Sequence, residues 1–379
     1  MSIDILVSLI KPLLVLGIVL TNTIILIWLE RKVVAGMQSR VGPDRAGPFG
    51  ILQTLADAIK LLLKEQILPL RADKAMYLLA PIIALVPSFL IFMIIPLGPG
   101  FDLTIGGETR FINLVGADIN VGVLFFLAIS SLAVYSVVLA GWSSGSKYPL
   151  LGGVRASAQM ISYEAAMGLS LVPVILYSGS MSMSKIVESQ SGNLSSTIPV
   201  IDSIVRFIPN WNVFPQFLAF GIFFVASIAE VNRAPFDLVE AEQELVGGFH
   251  TEYSGFRFAM FFLAEYINMF NMCAITATFF LGGWLGPTFP GIFPPLLSAM
   301  MPTIWLGLKT VGLLFVYFWI RATLPRLRYD QLMELGWKRL IPISLIWLLV
   351  SAIVLGIRDF GLPWSCLLYT SPSPRDTPQ

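Results

Sequence analysis

Eight long apolar runs constrain this chain more than any other feature of its sequence. They extend from about Leu13 to Leu29, Ala75 to Pro96, Val121 to Gly141, Ser157 to Tyr177, Pro215 to Glu230, Phe258 to Leu281, Thr303 to Ile320 and Leu340 to Ile357. A membrane's hydrocarbon core takes about 20 apolar residues to cross, in a helix that satisfies its own backbone N–H and C=O groups. The runs predict an all-α polytopic membrane protein with about eight transmembrane helices and amphipathic helices in the intervening loops. The fifth run is short for a span. Composition agrees: 56% of the 379 residues are hydrophobic and 12% are charged, whereas soluble domains carry about 25% charged residues. The first run follows an almost uncharged start and leads into Glu30-Arg31-Lys32 rather than a small-residue cleavage site, so it reads as a retained span.

The charges are nearly balanced, 24 basic against 23 acidic, which excludes the basic footprint of a nucleic-acid binder. Two cysteines, Cys273 and Cys366, and a single histidine cannot furnish a four-thiolate cluster or paired haem ligands. No metal site is expected within this chain, and any redox centre belongs to another chain. The distribution of charge gives an orientation. The connections 30–74, 141–157, 230–258 and 320–340 hold seventeen basic residues, against six in the other connections and both tails, with Lys309 left inside the seventh span. By the positive-inside tendency the basic loops face the cytoplasm or its organellar equivalent, and both termini face the periplasm or intermembrane space.

The first of these connections passes a Gly/Pro stretch, Val41 to Pro48, that specifies turns and stops the first helix. From Ile51 to Lys64 the apolar residues fall on one helical face, while Gln53, Asp57, Lys60 and Lys64 share another. Two readings stand: a helix lying on the membrane surface with its charges in water, or a polar face lining a cavity entered from the membrane, with Asp57 turned inward.

Acidic residues carry the most chemical information. Glu30, Glu164, Glu230 and Glu265 lie within or at the ends of apolar runs, where an ionised carboxylate costs several kcal/mol unless paired, hydrated or protonated. Snorkelling at a helix end is the ordinary alternative for Glu30 and Glu230, and a structural salt bridge for Glu164. Glu164 and Glu265 each require a partner from another helix. Between the fifth and sixth runs, Asp237, Glu240 and Glu244 recur at helical spacing, with Glu242 turned away and Arg233 as the accompanying base. A solvated acidic loop is the ordinary reading. The run nevertheless starts directly from one apolar segment and is followed at once by another, and closely held carboxylates titrate over a wide pH range, as a proton relay requires.

These residues carry a specific resemblance. From about Leu13 to Ile357 the chain resembles the H-subunit family of the proton-pumping NADH:quinone oxidoreductase (respiratory complex I), equivalent to subunit 1 of mitochondrial NADH dehydrogenase. The matching stretches include Glu30-Arg31-Lys32, Arg40-Val41-Gly42-Pro43-Asp44-Arg45, Gln53 to Lys60, Arg155 to Gln159, Ser162-Tyr163-Glu164, Asn232-Arg233-Ala234-Pro235-Phe236-Asp237, Glu252-Tyr253-Ser254 and Arg321-Ala322-Thr323-Leu324-Pro325-Arg326. Each fragment is weak alone, and their order and coverage make the match specific. One departure is Val239, where the family usually has Pro.

The resemblance implies a subunit at the junction of the peripheral redox arm and the membrane pump arm, walling a quinone-access tunnel. Glu30, Arg31, Arg40 and Asp57 match tunnel-side positions. Glu164, Glu230, Asp237, Glu240, Glu242 and Glu244 match an acidic path toward antiporter-like subunits, and Glu265 matches a membrane-embedded position of less certain role. The chain would act within a multisubunit translocase, with ubiquinone or menaquinone as substrate. NADH, FMN and iron–sulfur clusters would sit on partner subunits, and its other partners would be small membrane subunits and the lipid bilayer. A bacterial cytoplasmic membrane is preferred over a mitochondrial inner membrane on overall resemblance. Two alternatives remain: the related membrane subunit of an energy-converting hydrogenase, and a stand-alone secondary transporter, the latter opposed by the lack of an evident inverted repeat. Residues 1–364 read as one membrane domain. The polar, Pro-rich stretch 365–379 has no counterpart in the family and reads as a disordered tail or a cloning or sequence-assembly remnant.

Overall fold

Within the apolar runs, helices meet the backbone's demand for hydrogen bonds. The computed structural model describes residues 3–105, 108–112, 114–192, 210–237, 246–286 and 295–360. Its helices are α1 (Ile3–Met37), α2 (Leu52–Leu63), α3 (Lys74–Ile94), α4 (Gly122–Ser143), α5 (Lys147–Ser178), α6 (Met183–Ser189), α7 (Phe217–Glu230), α8 (Gly255–Phe280), α9 (Pro295–Thr323), α10 (Tyr329–Glu334) and α11 (Ile341–Phe360). A π-helical turn, Leu335–Leu340, joins the last two into one rod. Seven of these helical segments are long and apolar enough to cross a membrane, by length and composition.

The segment 215–230 yields the 14-residue α7, roughly 21 Å at 1.5 Å per residue and therefore shorter than a full crossing. Its N-terminal end is fixed by Gln216, whose Oε1 accepts from Trp347 Nε1 at 2.7 Å and Ser351 Oγ at 3.2 Å. Its C-terminal end carries Glu230 into the interior. The apolar runs did not signal a small antiparallel hairpin, β1 (Phe101–Ile105) with β2 (Glu108–Ile112), in the connection between α3 and α4.

Local chemistry explains the boundaries. Asp73 starts α3 by accepting from the N–H groups of Ala75 at 3.1 Å and Met76 at 3.4 Å. Gly179, at φ +66°, ends α5 in the left-handed conformation that glycine adopts without a Cβ penalty. Helix α1 runs past its apolar stretch to Met37, so that Glu30, Arg31 and Lys32 are all helical. The chain then turns back, and Lys32 Nζ donates to the Pro43 carbonyl at 3.0 Å.

Helices α3, α4, α5, α7 and α8 form the packed centre, with α9 and the α10–α11 rod against its flanks. The core of the α5, α7, α8 and α9 region is aromatic: Phe223, Phe279, Phe280 and Phe318 are fully buried. At Gly152 of α5 a Cβ would lie 2.7 Å from the Gly248 Cα, so backbone contact presses the turn Gly248–His250 onto that helix.

Lys309, inside the seventh predicted span, has a structural explanation. Its Nζ donates to the carbonyls of Leu281 (2.6 Å), Gly283 (2.9 Å) and Leu285 (2.5 Å), and lies 4.5 Å from the Trp211 ring centroid. A cation at the C-terminal end of α8 meets carbonyls that have no helical donor. Lys309→Met should lower the stability of the detergent-solubilised protein by about 3 kcal/mol, the scale for losing charged hydrogen bonds to buried acceptors. Thermal unfolding compared with the unsubstituted chain measures it.

Candidate functional site

Two cavities flank α8, the larger between α1, the turn after it, α8 and α9, the smaller between α3, α4, α5, α8 and the connection after α7. The larger, about 700 Å³, is lined by Glu30, Arg31 and Arg40, by Arg321 and Tyr266, and by apolar Val34, Ala35 and Phe262 among others. The smaller, about 70 Å³, has room for a few waters and is lined by Ser136, Glu230, Asn232, Asp237, His250, Glu265 and Asn268 among others.

Three of the four residues matched to tunnel-side positions line the larger cavity. Asp57 stands one ion pair behind its wall: Arg31 Nη1 donates to Asp57 Oδ2 at 2.6 Å, and Gln53 Nε2 donates to Asp57 Oδ1 at 3.1 Å. The polar face of α2 thus turns toward α1, while Leu52, Leu55, Ile59 and Leu62 are exposed. Helix α2 thus has a half-exposed apolar face, with Asp57 tied to the cavity wall through Arg31.

Between the cavities lies a cluster of buried ion pairs. Glu30 is buried, and its Oε1 accepts from Arg321 Nη1 and lies 3.5 Å from Arg233 Nη1. Arg233 Nε is 2.8 Å from Glu265 Oε1, and its guanidinium carbon lies 4.4 Å from the Tyr266 ring centroid. Burial works against the charge of Arg233, but Glu265, Tyr266 and Glu30 outweigh it and hold the guanidinium above its ordinary value. Three polar atoms here make no hydrogen bond among the described residues, Glu30 Oε2, Arg233 Nη2 and Arg233 Nε, the last pairing with Glu265 by charge alone.

The connection carrying Arg233 is stapled from two sides. Gln159 Nε2 on α5 donates to the carbonyls of Ala229 (2.9 Å) and Phe236 (3.0 Å) and to Asn232 Oδ1 (3.2 Å). The Leu327 N–H donates to the Pro235 carbonyl at 3.0 Å. Asn232 sits at φ +53°, a left-handed conformation that Asn tolerates better than most residues.

The remaining acidic positions divide in three ways. Glu230 and Asp237 face the smaller cavity, and Arg326 Nη2 lies 3.4 Å from Asp237 Oδ2. Glu164 finds its partners on α4, where the hydroxyls of Ser130 (3.2 Å) and Ser131 donate to its Oε1. It also interacts electrostatically with Glu230 across α5 and α7. Glu240, Glu242 and Glu244 lie outside the described residues, as does the 365–379 tail.

Sequence reasoning did not single out Arg321, His250, Gln159 or Asn268 as site residues. A signal existed for Asn268, which follows Glu265 by three residues on one helical face of α8. No local signal marks Arg321, which meets Glu30 across 291 positions. His250 sits among the rings of Phe249, Phe258 and Phe261, with Nδ1 buried and unpartnered among the described residues. Burial holds its imidazole down to about 3.

The fold and site define a polytopic membrane protein with a large, partly charged cavity separated from a small acidic one by buried ion pairs. Residues 10–352 match the family model described as NADH dehydrogenase, and the chain belongs to that family. It is 48% identical over 363 residues to H-subunit 2 of the NADH-quinone oxidoreductase of Koribacter versatilis, covering 93% of this chain and 98% of that relative. It is 52% identical over 344 residues to the NADH-quinone oxidoreductase H-subunit of Frankia alni, covering 91% of this chain and 72% of the relative.

The neutral His250 gives a pH signature. Its folded value of about 3 lies below the ordinary 6.5, so between these values the unfolded chain binds the proton that the folded chain refuses. Its contribution to stability is therefore intact above pH 6.5 and is lost as pH falls toward 3, by at most about 1.4 kcal/mol per pH unit. Thermal unfolding against pH should show this slope, and His250→Asn should flatten that part of it.

Proposed function

We propose that this chain is the membrane subunit of a proton-pumping NADH:quinone oxidoreductase that walls the quinone-access tunnel and couples quinone reduction to proton movement. The observation that carries the reading is the pair of adjacent cavities: Glu30, Arg31 and Arg40 line the large one, while Glu230, Asp237 and Glu265 line the small one. The names of the relatives, at about half identity over more than nine-tenths of this chain, support the same assignment.

The large cavity has the size and mixed lining of a small-molecule site. In this reading Val34, Ala35 and Phe262 face the apolar part of the quinone, and the Arg31, Arg40 and Arg321 guanidiniums face its oxygens. Asp57 and Gln53 hold Arg31 in position. Electrons reach the quinone from iron–sulfur clusters on peripheral-arm subunits, which also carry the NADH and FMN chemistry and cover the basic loops. Proton transfer uses Glu164, Glu230, Asp237 and Glu265, continues through Glu240, Glu242 and Glu244, and passes on to antiporter-like and small membrane subunits. The membrane is a bacterial cytoplasmic membrane, both termini face the periplasm, and residues 1–364 act as one membrane domain.

Two substitutions separate the parts of this reading. Asp57→Asn removes the carboxylate that orients Arg31, and should slow quinone reduction and raise the apparent KM for quinone several-fold in the assembled complex. Normal kinetics would remove Asp57 from the tunnel. Glu164→Gln and Asp237→Asn should assemble yet pump fewer protons per NADH oxidised, and full pumping in both would sink the proton path. Copurification of a nickel hydrogenase instead of NADH-oxidising subunits would overturn the assignment of the complex.

A further inference from the structure

We infer that the rod formed by α10, the π-helical turn and α11 carries a site for an anionic phospholipid, with Lys338 and Arg339 holding the phosphate and the outer face of α11 holding the acyl chains. No residue of this rod lines either cavity, so the site stands apart from the quinone and proton readings.

The π-helical turn, Leu335–Leu340, decides which residues face outward. Gly336 and Leu340 are its buried positions. Gly336 is pressed against α5 so closely that a Cβ there would collide with Ser162 Oγ. Between these two anchors Trp337, Lys338 and Arg339 are all exposed. Further along, Ser344 and Ser351 continue the buried seam, and Ser351 donates to Gln216. The rod is held along this narrow seam and is the least covered of the seven long apolar segments.

The exposed remainder has the composition of a lipid face. Ile343, Ile346, Leu349, Val350 and Ile353 are exposed and follow one another at helical spacing beyond Arg339. Helix contacts inside a bilayer favour small residues that let backbones approach, whereas these positions are large and aliphatic. Charge brackets the stretch at both ends. Arg339 and Arg358 are both exposed and stand about 28 Å apart at 1.5 Å per residue, against a hydrocarbon core of about 30 Å. The basic pair therefore sits at headgroup level, with the amphipathic indole of Trp337 beside it.

Charge selects the headgroup. Arg328 lies 3.7 Å from Asp330 and Lys338 Nζ lies 3.6 Å from Glu334 Oε1, both pairs being largely exposed and therefore weak. Arg339 has no acceptor among the described residues. Three bases against two acids leave the segment 328–339 with one uncompensated positive charge. A phosphodiester offers two free oxygens, one to accept from the Arg339 guanidinium and one from the Lys338 ammonium. A zwitterionic lipid brings its own ammonium, which the basic pair repels. An acidic protein segment would match the charge but would leave the aliphatic face below it uncovered.

The test uses the assembled complex in phosphatidylethanolamine nanodiscs containing a trace of photoreactive phospholipid. The probe is either phosphatidylglycerol or phosphatidylethanolamine, each with a diazirine on the same acyl chain. Mass spectrometry of crosslinked peptides reads labelling of 341–357 against labelling of the exposed face of α1 between Leu13 and Leu20. The anionic probe should label 341–357 at least about fivefold more than the zwitterionic one, with no such preference on α1. Lys338→Gln with Arg339→Gln should abolish the preference, and Lys338→Arg with Arg339→Lys should keep it. In the unsubstituted complex, which tests the site even if the double glutamine variant fails to assemble, the preference should fall as salt is raised to about 0.5 M. Equal labelling by the two probes, a preference that survives the glutamine pair, or one that ignores salt overturns the site. So does an absence of labelling on 341–357 by either probe while α1 is labelled, since another subunit then covers the face. Each of these outcomes leaves the quinone reading untouched.

Discussion

A buried carboxylate at the end of a membrane helix has to be neutralised, and Glu30 is the point on which the architecture of this region turns. Stripping a carboxylate of water costs several kcal/mol after relaxation, and only close, well-oriented cations offset that cost. Glu30 is neutralised by Arg321 from α9 and Arg233 from the connection after α7. Three segments far apart in sequence must therefore meet at one oxygen. This requirement accounts for α1 remaining helical through Arg31 and Lys32, and for the firm stapling of the 229–237 connection by Gln159 and Leu327. A loop free to shift would leave Glu30 and Glu265 competing for whatever charge remained nearby.

The same cost explains why polar residues here occur as linked sets. Glu164 is met by two serine hydroxyls, which bond its oxygen without supplying charge. Glu265 is met by a guanidinium. A hydroxyl-bonded carboxylate can exchange a proton without breaking an ion pair, whereas a guanidinium-bound one is fixed until its partner moves. The two carboxylates therefore differ in kind, Glu164 bonded by neutral hydroxyls and Glu265 set against a permanent positive charge.

Much of the transmembrane architecture was legible because the physics that sets it is local. Period, length and absence of charge mark a spanning helix, and the runs beginning near Ala75, Val121 and Phe258 correspond closely to α3, α4 and α8. The weakness of the fifth run was legible too and became the short α7. The hairpin of β1 and β2 was missed because its strands are short and lie outside any apolar run. At the site, the sequence marked the carboxylates that are costly to bury but not their partners. It showed that Glu265 needed a partner, which was expected on another helix, whereas Arg233 stands in a connection 32 positions away and resembles any loop arginine until the fold brings the two together. Arg321 was harder still, since it ends a helix in a basic stretch where solvation is the ordinary expectation.

The separation of the cavities has its own logic. On the proposed reading of the two cavities, a continuous hydrated path between them would let protons equilibrate between the quinone site and the proton path, and the free energy of the redox step would be lost as heat. A dry partition of apolar side chains would prevent that loss but would transmit little, because packed hydrocarbon responds weakly to a distant charge. The partition here contains Glu30, Arg233 and Glu265, with the Tyr266 ring against the guanidinium. Buried ion pairs in a low-dielectric setting respond strongly to a nearby charge, yet the guanidinium between the two carboxylates keeps its proton across the physiological range. Arg233 therefore places a permanent positive charge between the two carboxylates without adding a group there that exchanges protons.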